Sequence, residues 1–136
     1  MTNGSAISSY AIANNGTLAP ISASLPTLGA ANCWNVVTPD GKFVYASNAG
    51  TSNISGFAIG NTSALTALPG TVVGANPDGS TNLDIAVTAD GKFVYTLNSV
   101  AGTVGMFAVQ KDGTLLNVGS AGGVSPLSGF NGIAAF

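Results

Sequence analysis

The segment "PDGKFVYASN", residues 39–48, decides the fold because it returns as "ADGKFVYTLN" at residues 89–98. The six residues Asp-Gly-Lys-Phe-Val-Tyr are identical in the two copies. Asp-Gly between apolar runs predicts a hairpin turn, since glycine accepts a positive φ and aspartate bonds the turn backbone. The Phe and Tyr that follow are two residues apart, so we expect them on one face of a strand with Val on the other.

The match between the two copies extends well beyond this hairpin. Residues 32–48 and 82–98 agree at ten of seventeen positions, and "ISGFAIG" (54–60) then pairs with "VGMFAVQ" (104–110). A partial copy stands at the front, where "ISSYAIA" (7–13) repeats strand three, and "GIAAF" (132–136) resembles the first strand, "DIAVT" (84–88). The sequence therefore predicts half a unit, two whole units and the opening strand of another.

Each whole unit divides into four short strands. Strand one is an apolar run expected to be buried on both faces, strand two follows the Asp-Gly turn, and strand three carries Phe57/Ile59 or Phe107/Val109. Strand four, "ALTAL" or "TLLNV", is expected at the outer edge. Four antiparallel strands repeated about every 50 residues indicate an all-β chain of β-propeller blades. The predicted ring is incomplete, with about two whole blades and a part-blade at each end.

The predicted domains follow from this count. They are the outer strands of a partial blade (1–25), a blade (26–70), a second blade (71–120) and the inner strand of a further blade (121–136). Such an arc would expose sheet edges and the apolar flanks of its terminal blades. We therefore expect one of two partners: remaining propeller sequence outside this chain, or further copies that form a homo-oligomer by strand addition.

The repeated segments resemble a known family. "TPDGKFVYASN" and "TADGKFVYTLN", each followed by "ISGFAI" or "VGMFAV", are similar to the YVTN-type repeats of lactonase-like seven-bladed propellers, which include 6-phosphogluconolactonase-type proteins. The resemblance covers nearly the whole chain and is specific for the blade type rather than for an activity. It implies a sugar lactone as substrate if the parent propeller is an enzyme.

Composition and charge exclude several other classes. Charged residues make up 6% of the chain and the net charge is −2, so no basic surface for nucleic acid or an anionic membrane is expected. The first ten residues lack the basic and apolar regions of a signal peptide. A surface of Ser, Thr, Asn and Gly nevertheless favours an extracellular or periplasmic protein, whose signal would have been removed or would lie outside this chain.

The residue types available argue against catalysis by this chain alone. It contains no His, Arg or Glu, and an active lactonase-like propeller would be expected to use such side chains near its channel. We predict no catalytic residue, no metal site and no cofactor. The single cysteine, Cys33, is expected to be a small buried apolar residue rather than a nucleophile.

A candidate ligand face follows from the ends of the predicted strands. Asparagines recur where strand one begins and strand two ends, and Trp34 and Asp84 occupy equivalent positions in strand one. The asparagines could contact a carbohydrate or small lactone, or cap turns common to every blade. Trp34 could stack on a flat ligand or pack between blades, and Asp84 could bind a ligand or bond loop amides. The candidate residues are Asn32, Trp34, Asn48, Asn82, Asp84 and Asn98.

Two functions remain open from the sequence. The first is a non-catalytic scaffold or binding module that forms part of a larger or oligomeric propeller. The second is a segment of a lactonase-like enzyme that hydrolyses a sugar lactone with catalytic residues outside this chain. Lactone hydrolysis by the chain alone is the test of the second function, and the absence of activity would leave that function dependent on sequence outside this chain.

Overall fold

The computed structural model describes residues 4–136, so residues 1–3 of the predicted first part-blade lie outside the described residues. The described chain is all-β and contains no helix. Its ten strands are β1 (Gly4–Ile12), β2 (Leu18–Ala30), β3 (Asn32–Val37), β4 (Phe43–Asn48), β5 (Asn53–Ile59), β6 (Leu65–Ala75), β7 (Asn82–Val87), β8 (Phe93–Asn98), β9 (Thr103–Val109) and β10 (Leu115–Ala121).

The strands form three antiparallel sheets in chain order. The first sheet contains β1 and β2, the second contains β3 to β6, and the third contains β7 to β10. In both four-stranded sheets each strand pairs with its neighbour in sequence. This is the blade topology predicted from the repeat, and the ring that the blades begin is not closed.

The repeated Asp-Gly-Lys segment forms the turn between the first two strands of each four-stranded sheet. Gly41 has a φ of 70°, which glycine accepts without a steric penalty. The carboxylate of Asp40 accepts hydrogen bonds from the Thr38 hydroxyl (2.7 Å) and the Lys42 backbone N–H (3.1 Å). Asp90 accepts the corresponding bonds in the third sheet. The segment is therefore turn chemistry in both copies, as predicted.

Apolar side chains pack in the two spaces between successive sheets. Ile7 of the first sheet packs with Val44 and Phe57 of the second. On the opposite face of the second sheet, Tyr45 and Ile54 pack against buried side chains of the third. Val44 and Tyr45 are adjacent in β4 and therefore point to opposite faces, which is how one short strand contributes to both layers.

All three predicted domain boundaries fall inside strands. The boundary at residues 25 and 26 lies within β2, that at residues 70 and 71 lies within β6, and that at residues 120 and 121 lies within β10. Strand four of the second sheet was expected to be the short segment "ALTAL" (64–68), but the strand continues through a bulge at which Gly70 and Thr71 take positive φ values of 79° and 61°. The pairing with β5 resumes at Val72, so the outer strand continues to Ala75.

One further prediction differs from the structure, and another is not tested by it. Strand one of the second sheet, β3, was expected to be buried on both faces but is largely exposed, because the first sheet lacks inner strands to cover it. Residues 122–136 contain no strand, although an inner strand was predicted within 121–136. An inner strand forms its ladder with strand two of its own blade, and the described chain has no such strand after Ala121. The inner strand within 121–136 therefore stays a prediction.

Candidate functional site

The structure brings the four candidate asparagines together in two pairs. Asn32 begins β3 and lies opposite Asn48 at the end of β4. Asn82 begins β7 and lies opposite Asn98 at the end of β8. Because paired strands run in opposite directions, all four lie at the same end of their sheets.

The side-chain amides of Asn48 and Asn98 donate hydrogen bonds to neighbouring polar side chains. Nδ2 of Asn48 donates to the Asn53 side-chain oxygen and the Ser55 hydroxyl, both at 2.8 Å. The Ser55 hydroxyl in turn donates to the carbonyl of Thr27 in the first sheet. Nδ2 of Asn98 donates to Asn76 (3.0 Å) and Thr103 (3.2 Å). The two asparagines therefore stabilise the ends of strands two and three.

Asn82 and Asn32 form bonds between strands and between sheets. Nδ2 of Asn82 donates to the Ser47 hydroxyl (2.8 Å) and to the carbonyl oxygen of Asn53 (3.0 Å), both in the second sheet. The Ser47 hydroxyl donates back to the carbonyl oxygen of Asn82 at 2.7 Å. Asn32 donates to the carbonyl oxygen of Ser47 at 2.9 Å. This network joins the second and third sheets at the end where the asparagines lie.

Burial limits what three of these asparagines could contact. Asn48, Asn82 and Asn98 have no exposed surface. The side-chain oxygens of Asn48 and Asn82 accept no hydrogen bond from the described residues, but they are enclosed by protein. The geometry thus supports a structural role for these amides, and a ligand contact by them stays a prediction.

Trp34 and Asp84 occupy equivalent positions but differ in their surroundings. The Trp34 side chain is 57% exposed, whereas Asp84 is 6% exposed. One carboxylate oxygen of Asp84 accepts from the backbone N–H of Ile85 (2.7 Å) and the other from that of Ile133 (2.8 Å). Asp84 therefore binds backbone amides in this chain, while Trp34 presents an open ring that a flat ligand could reach.

A charged cleft that was not predicted lies at the opposite end of the sheets from the asparagines. It has a volume of about 300 Å³ and includes both Asp-Gly-Lys turns together with Gln110 and Lys111 from the turn after β9. Lys42 pairs with Asp40 at 3.1 Å, and Lys92 pairs with Asp90 at 2.9 Å. The turns were assigned correctly one by one, but the sequence carried no signal that neighbouring sheets would bring them into one cleft.

Hydrogen bonding lowers the pKa of the two acidic groups of this cleft. The Thr38 hydroxyl, followed by the backbone and side chain of Lys42, lowers the pKa of Asp40 from its ordinary 3.8 to about 2. The Thr88 hydroxyl and Lys92 lower the pKa of Asp90 to about 2 in the same way. Groups with such low pKa values are carboxylates at neutral pH and are poor proton donors there.

The remaining features of the described residues concern metal binding, the single cysteine and membrane spans. Among residues 4–136, no group of three or more His, Cys, Asp or Glu side chains is placed to hold a metal ion. Cys33 is exposed, in contrast to the buried position expected for it, because it lies on β3, which the first sheet leaves uncovered. No helix in the part of the chain that the structure describes is long and apolar enough to cross a membrane.

Comparison with known proteins identifies the fold. No protein-family model matches the chain, and no curated protein sequence does. A functionally unknown protein from Desulfotomaculum acetoxidans is similar in structure, with 28% identity and a TM-score of 0.73 over 88% of this chain and 36% of its own. The periplasmic gluconolactonase of Pseudomonas aeruginosa has 22% identity and a TM-score of 0.72 over 92% of this chain and 37% of its own.

A third similar structure matches the chain over a comparable share of both proteins. A Bacteroides fragilis protein described as a candidate 6-phosphogluconolactonase has 23% identity and a TM-score of 0.69, over 88% of this chain and 38% of its own. The chain thus spans well under half the length of the solved structures that it matches. It has the lactonase-like β-propeller fold and corresponds to a partial segment of such a propeller.

Proposed function

We propose that this chain is a non-catalytic β-propeller scaffold or interaction module that forms part of a larger or oligomeric propeller. The observation that carries the proposal is the open inner edge of β1. In the second and third sheets, strand three lies between strands two and four, but β1 pairs only with β2 among the described residues. An unpaired strand edge is a template for another strand.

Exposed apolar side chains at the two ends of the arc support association. Tyr10 and Ile12 of β1 are half or more exposed, as are Leu127 and Phe136 in the segment after β10. In a closed propeller every blade packs against a neighbouring blade on both of its faces. Association with further strands would remove this apolar surface from water, at about 25 cal/mol for each Å² that becomes buried.

The hydrogen bonds of the candidate site also support a scaffold role. Three of its asparagines are buried and form hydrogen bonds that join strands and sheets, and the Asp84 carboxylate accepts hydrogen bonds from two backbone N–H groups. Trp34 is the most open of the six candidate residues and could contact a carbohydrate or small lactone. Export is part of the same proposal, because the composition favours it and one similar structure is a periplasmic protein.

Light scattering coupled to size-exclusion chromatography tests the association. The measured mass is expected to be a multiple of the 13.2 kDa of one chain. This multiple should stay constant or increase as the chain concentration is raised from about 1 to 100 μM. A well-behaved 13.2 kDa monomer over the whole concentration range would contradict self-association and leave a larger propeller as the remaining form of the proposal.

The second candidate is a segment of a lactonase-like enzyme. The similarity to a periplasmic gluconolactonase favours it, although at 22% identity that likeness concerns the fold. Hydrolysis of a sugar lactone by this chain, followed by acid release in a pH-stat, is the direct test. Activity above the buffer rate would overturn the non-catalytic proposal, and the absence of His, Arg and Glu leads us to expect none.

A further inference from the structure

We propose that the first sheet binds an extended strand of the Phe-Val-Tyr type along the open edge of β1, with the tyrosine of that strand in a cavity between the first and second sheets. The inference rests on the proposed function and deepens it by naming the chemistry of the partner. Its basis is an internal comparison, because the space between the second and third sheets already holds such a tyrosine.

Tyr45 of β4 is the tyrosine that lies between the second and third sheets. Its side chain is fully buried in a cluster that includes Ile54 of its own sheet and Val94 and Leu115 of the third. Its hydroxyl donates to the carbonyl oxygen of Gly113 at 2.8 Å. The site thus combines an apolar wall for the ring with one acceptor for the hydroxyl, which is the environment that a buried tyrosine requires.

A cavity of about 230 Å³ occupies the equivalent place between the first and second sheets. Apart from Ser8 and Ser9 of β1, each of its lining residues is a repeat counterpart of a residue around Tyr45. Ile7 corresponds to Ile54, and the second-sheet residues correspond to positions fifty residues later in the third sheet. These lining residues are Val37, Val44, Ile59, Leu65 and Ser63, which correspond to Val87, Val94, Val109, Leu115 and Gly113.

The acceptor for the hydroxyl is matched as well. Ser63 lies at the position of Gly113 in the turn between strands three and four, and both residues have a positive φ, 60° and 84°. The two turns are also closed by the same hydrogen bond, from the Ser63 N–H to the Gly60 carbonyl and from the Gly113 N–H to the Gln110 carbonyl, so we expect the Ser63 carbonyl to be the acceptor that Gly113 provides for Tyr45. The cavity is also smaller than the pockets of about 300 to 1,000 Å³ that hold drug-sized ligands. A single aromatic side chain suits it better than a small molecule.

The backbone of β1 provides the register for an added strand. In the second sheet, Tyr45 lies opposite Gly56, and the Ile59 N–H donates to the Lys42 carbonyl. The repeat counterparts of Gly56 and Ile59 are Ser9 and Ile12 of β1. An antiparallel strand paired in the same register would therefore place its tyrosine opposite Ser9, which lines the cavity. The Ser9 hydroxyl is buried and has no hydrogen-bond partner among the described residues.

The occupant is a strand of this sequence type that is not already paired. The two Phe-Val-Tyr strands of the chain, β4 and β8, are each central in a complete sheet. The segment after β10 is bound elsewhere, because the Ile133 N–H donates to Asp84 in the third sheet. The partner is therefore a strand two from further propeller sequence, rather than an intact second copy.

Binding of a synthetic peptide to the full chain tests the proposal. The probe is the labelled peptide ADGKFVYTLN, the sequence of residues 89–98, and the measurement is fluorescence anisotropy during titration with the chain. We expect saturable binding that weakens at least tenfold when the peptide tyrosine is replaced by alanine. A peptide with its Val and Tyr exchanged should lose at least as much, because its tyrosine would point away from the cavity.

Variants of the chain test the cavity itself. Ser9→Phe should fill the cavity and weaken peptide binding at least tenfold, while Ile12→Phe, on the opposite face of the same strand, should leave binding within twofold. If Ser9→Phe fails to fold, as shown by circular dichroism, Val37→Trp provides the second test, because Val37 is half-exposed at the cavity. The absence of peptide binding, or equal binding of the tyrosine and alanine peptides, would overturn the proposal.

The outcomes separate this inference from the proposed function. Copies that associate in light scattering but do not bind the peptide would refute the tyrosine site and leave the scaffold proposal intact. A chain that binds the peptide with the expected tyrosine dependence but stays monomeric would support the site and contradict self-association.

Discussion

The hydroxyl of Tyr45 in β4 donates a hydrogen bond of 2.8 Å to the backbone carbonyl oxygen of Gly113, a residue 68 positions away in the next sheet. Burial raises the pKa of Tyr45 above its ordinary value of 10, with smaller contributions from the negative charges of Asp40 and Asp112. The hydroxyl therefore remains a hydrogen-bond donor over the whole neutral range. This hydrogen bond joins the second and third sheets, and it adds a polar contact to the apolar packing between them.

Tyr45→Phe should destabilise the chain while leaving its fold unchanged. The ring still fits, but the Gly113 carbonyl loses its partner in a buried place, so we expect a loss of about 1–3 kcal/mol in the free energy of unfolding. Urea unfolding followed by circular dichroism measures this loss. Tyr95→Phe, at the half-buried counterpart in β8, is the control and should change stability by less than about 0.5 kcal/mol. Equal losses in the two variants would contradict a specific role for the Tyr45 bond.

Parts of this fold could be predicted from the sequence because they depend on neighbours along the chain. The Asp40 and Asp90 turns and the alternation of Phe, Val and Tyr are local, and the structure confirms them. The continuation of β6 beyond Pro69-Gly70 could not be read in this way, because it depends on pairing with β5. Likewise, the partners of Asn82 come from the preceding sheet, and no local pattern identifies them.

Gly105→Ala should destabilise the third sheet through a steric clash. A Cβ at Gly105 would lie 2.1 Å from the side-chain oxygen of Asn76 and 2.6 Å from the hydroxyl oxygen of Thr96. Those groups also bond each other and Asn98, so the side chains have little freedom to move away. We expect a loss of about 1–3 kcal/mol, typical of overpacking, measured by urea unfolding.

Gly122→Ala is the matched control for this glycine substitution. A Cβ at Gly122 meets no atom within 4 Å, and the residue has no positive φ. Its stability should equal that of the unmodified chain to within about 0.5 kcal/mol. A Gly105→Ala variant as stable as the Gly122→Ala variant would show that the space around Gly105 is not needed by the network.

Asn82→Ala should weaken the contact between the second and third sheets. The substitution removes the bonds to Ser47 and Asn53 and leaves a buried hydroxyl and a half-buried carbonyl short of a donor. We expect a loss of about 2–4 kcal/mol, because each unsatisfied buried group costs about 1–3 kcal/mol. Asn35→Ala, at an exposed position of β3, is the control and should have little effect. If both variants lose the same stability, the buried network would not be the cause.

Acid should destabilise the chain in a defined pH window. The pKa values of Asp40 and Asp90 are lowered from 3.8 to about 2 in the folded state, so between these values the unfolded chain binds protons that the folded chain does not. The stabilisation is therefore complete above about pH 4 and is lost as the pH falls towards 2. Denaturant unfolding at a series of pH values should show this decline.

The threonine hydroxyls are the largest cause of these low pKa values, which provides a test of the decline. In a Thr38→Val, Thr88→Val double variant the decline between pH 4 and 2 should become shallower, because both carboxyl groups would titrate nearer their ordinary pKa. Thr66→Val, at an exposed position of β6, is the control and should keep the original slope. An unchanged slope in the double variant would show that other groups control the acid transition.

Asp84→Ala should release the segment after β10 from the third sheet. The Asp84 carboxylate accepts a 2.8 Å bond from the Ile133 N–H and is nearly buried, so its removal leaves that amide without its acceptor. Amide hydrogen exchange of residues 129–136 is expected to accelerate at least fivefold, while exchange in β8 and β9 stays the same. Asp78→Ala, at an exposed loop position, removes the same charge without touching this bond. Unchanged exchange in Asp84→Ala would mean that the apolar contacts around Ile133, rather than the carboxylate, hold the segment in place.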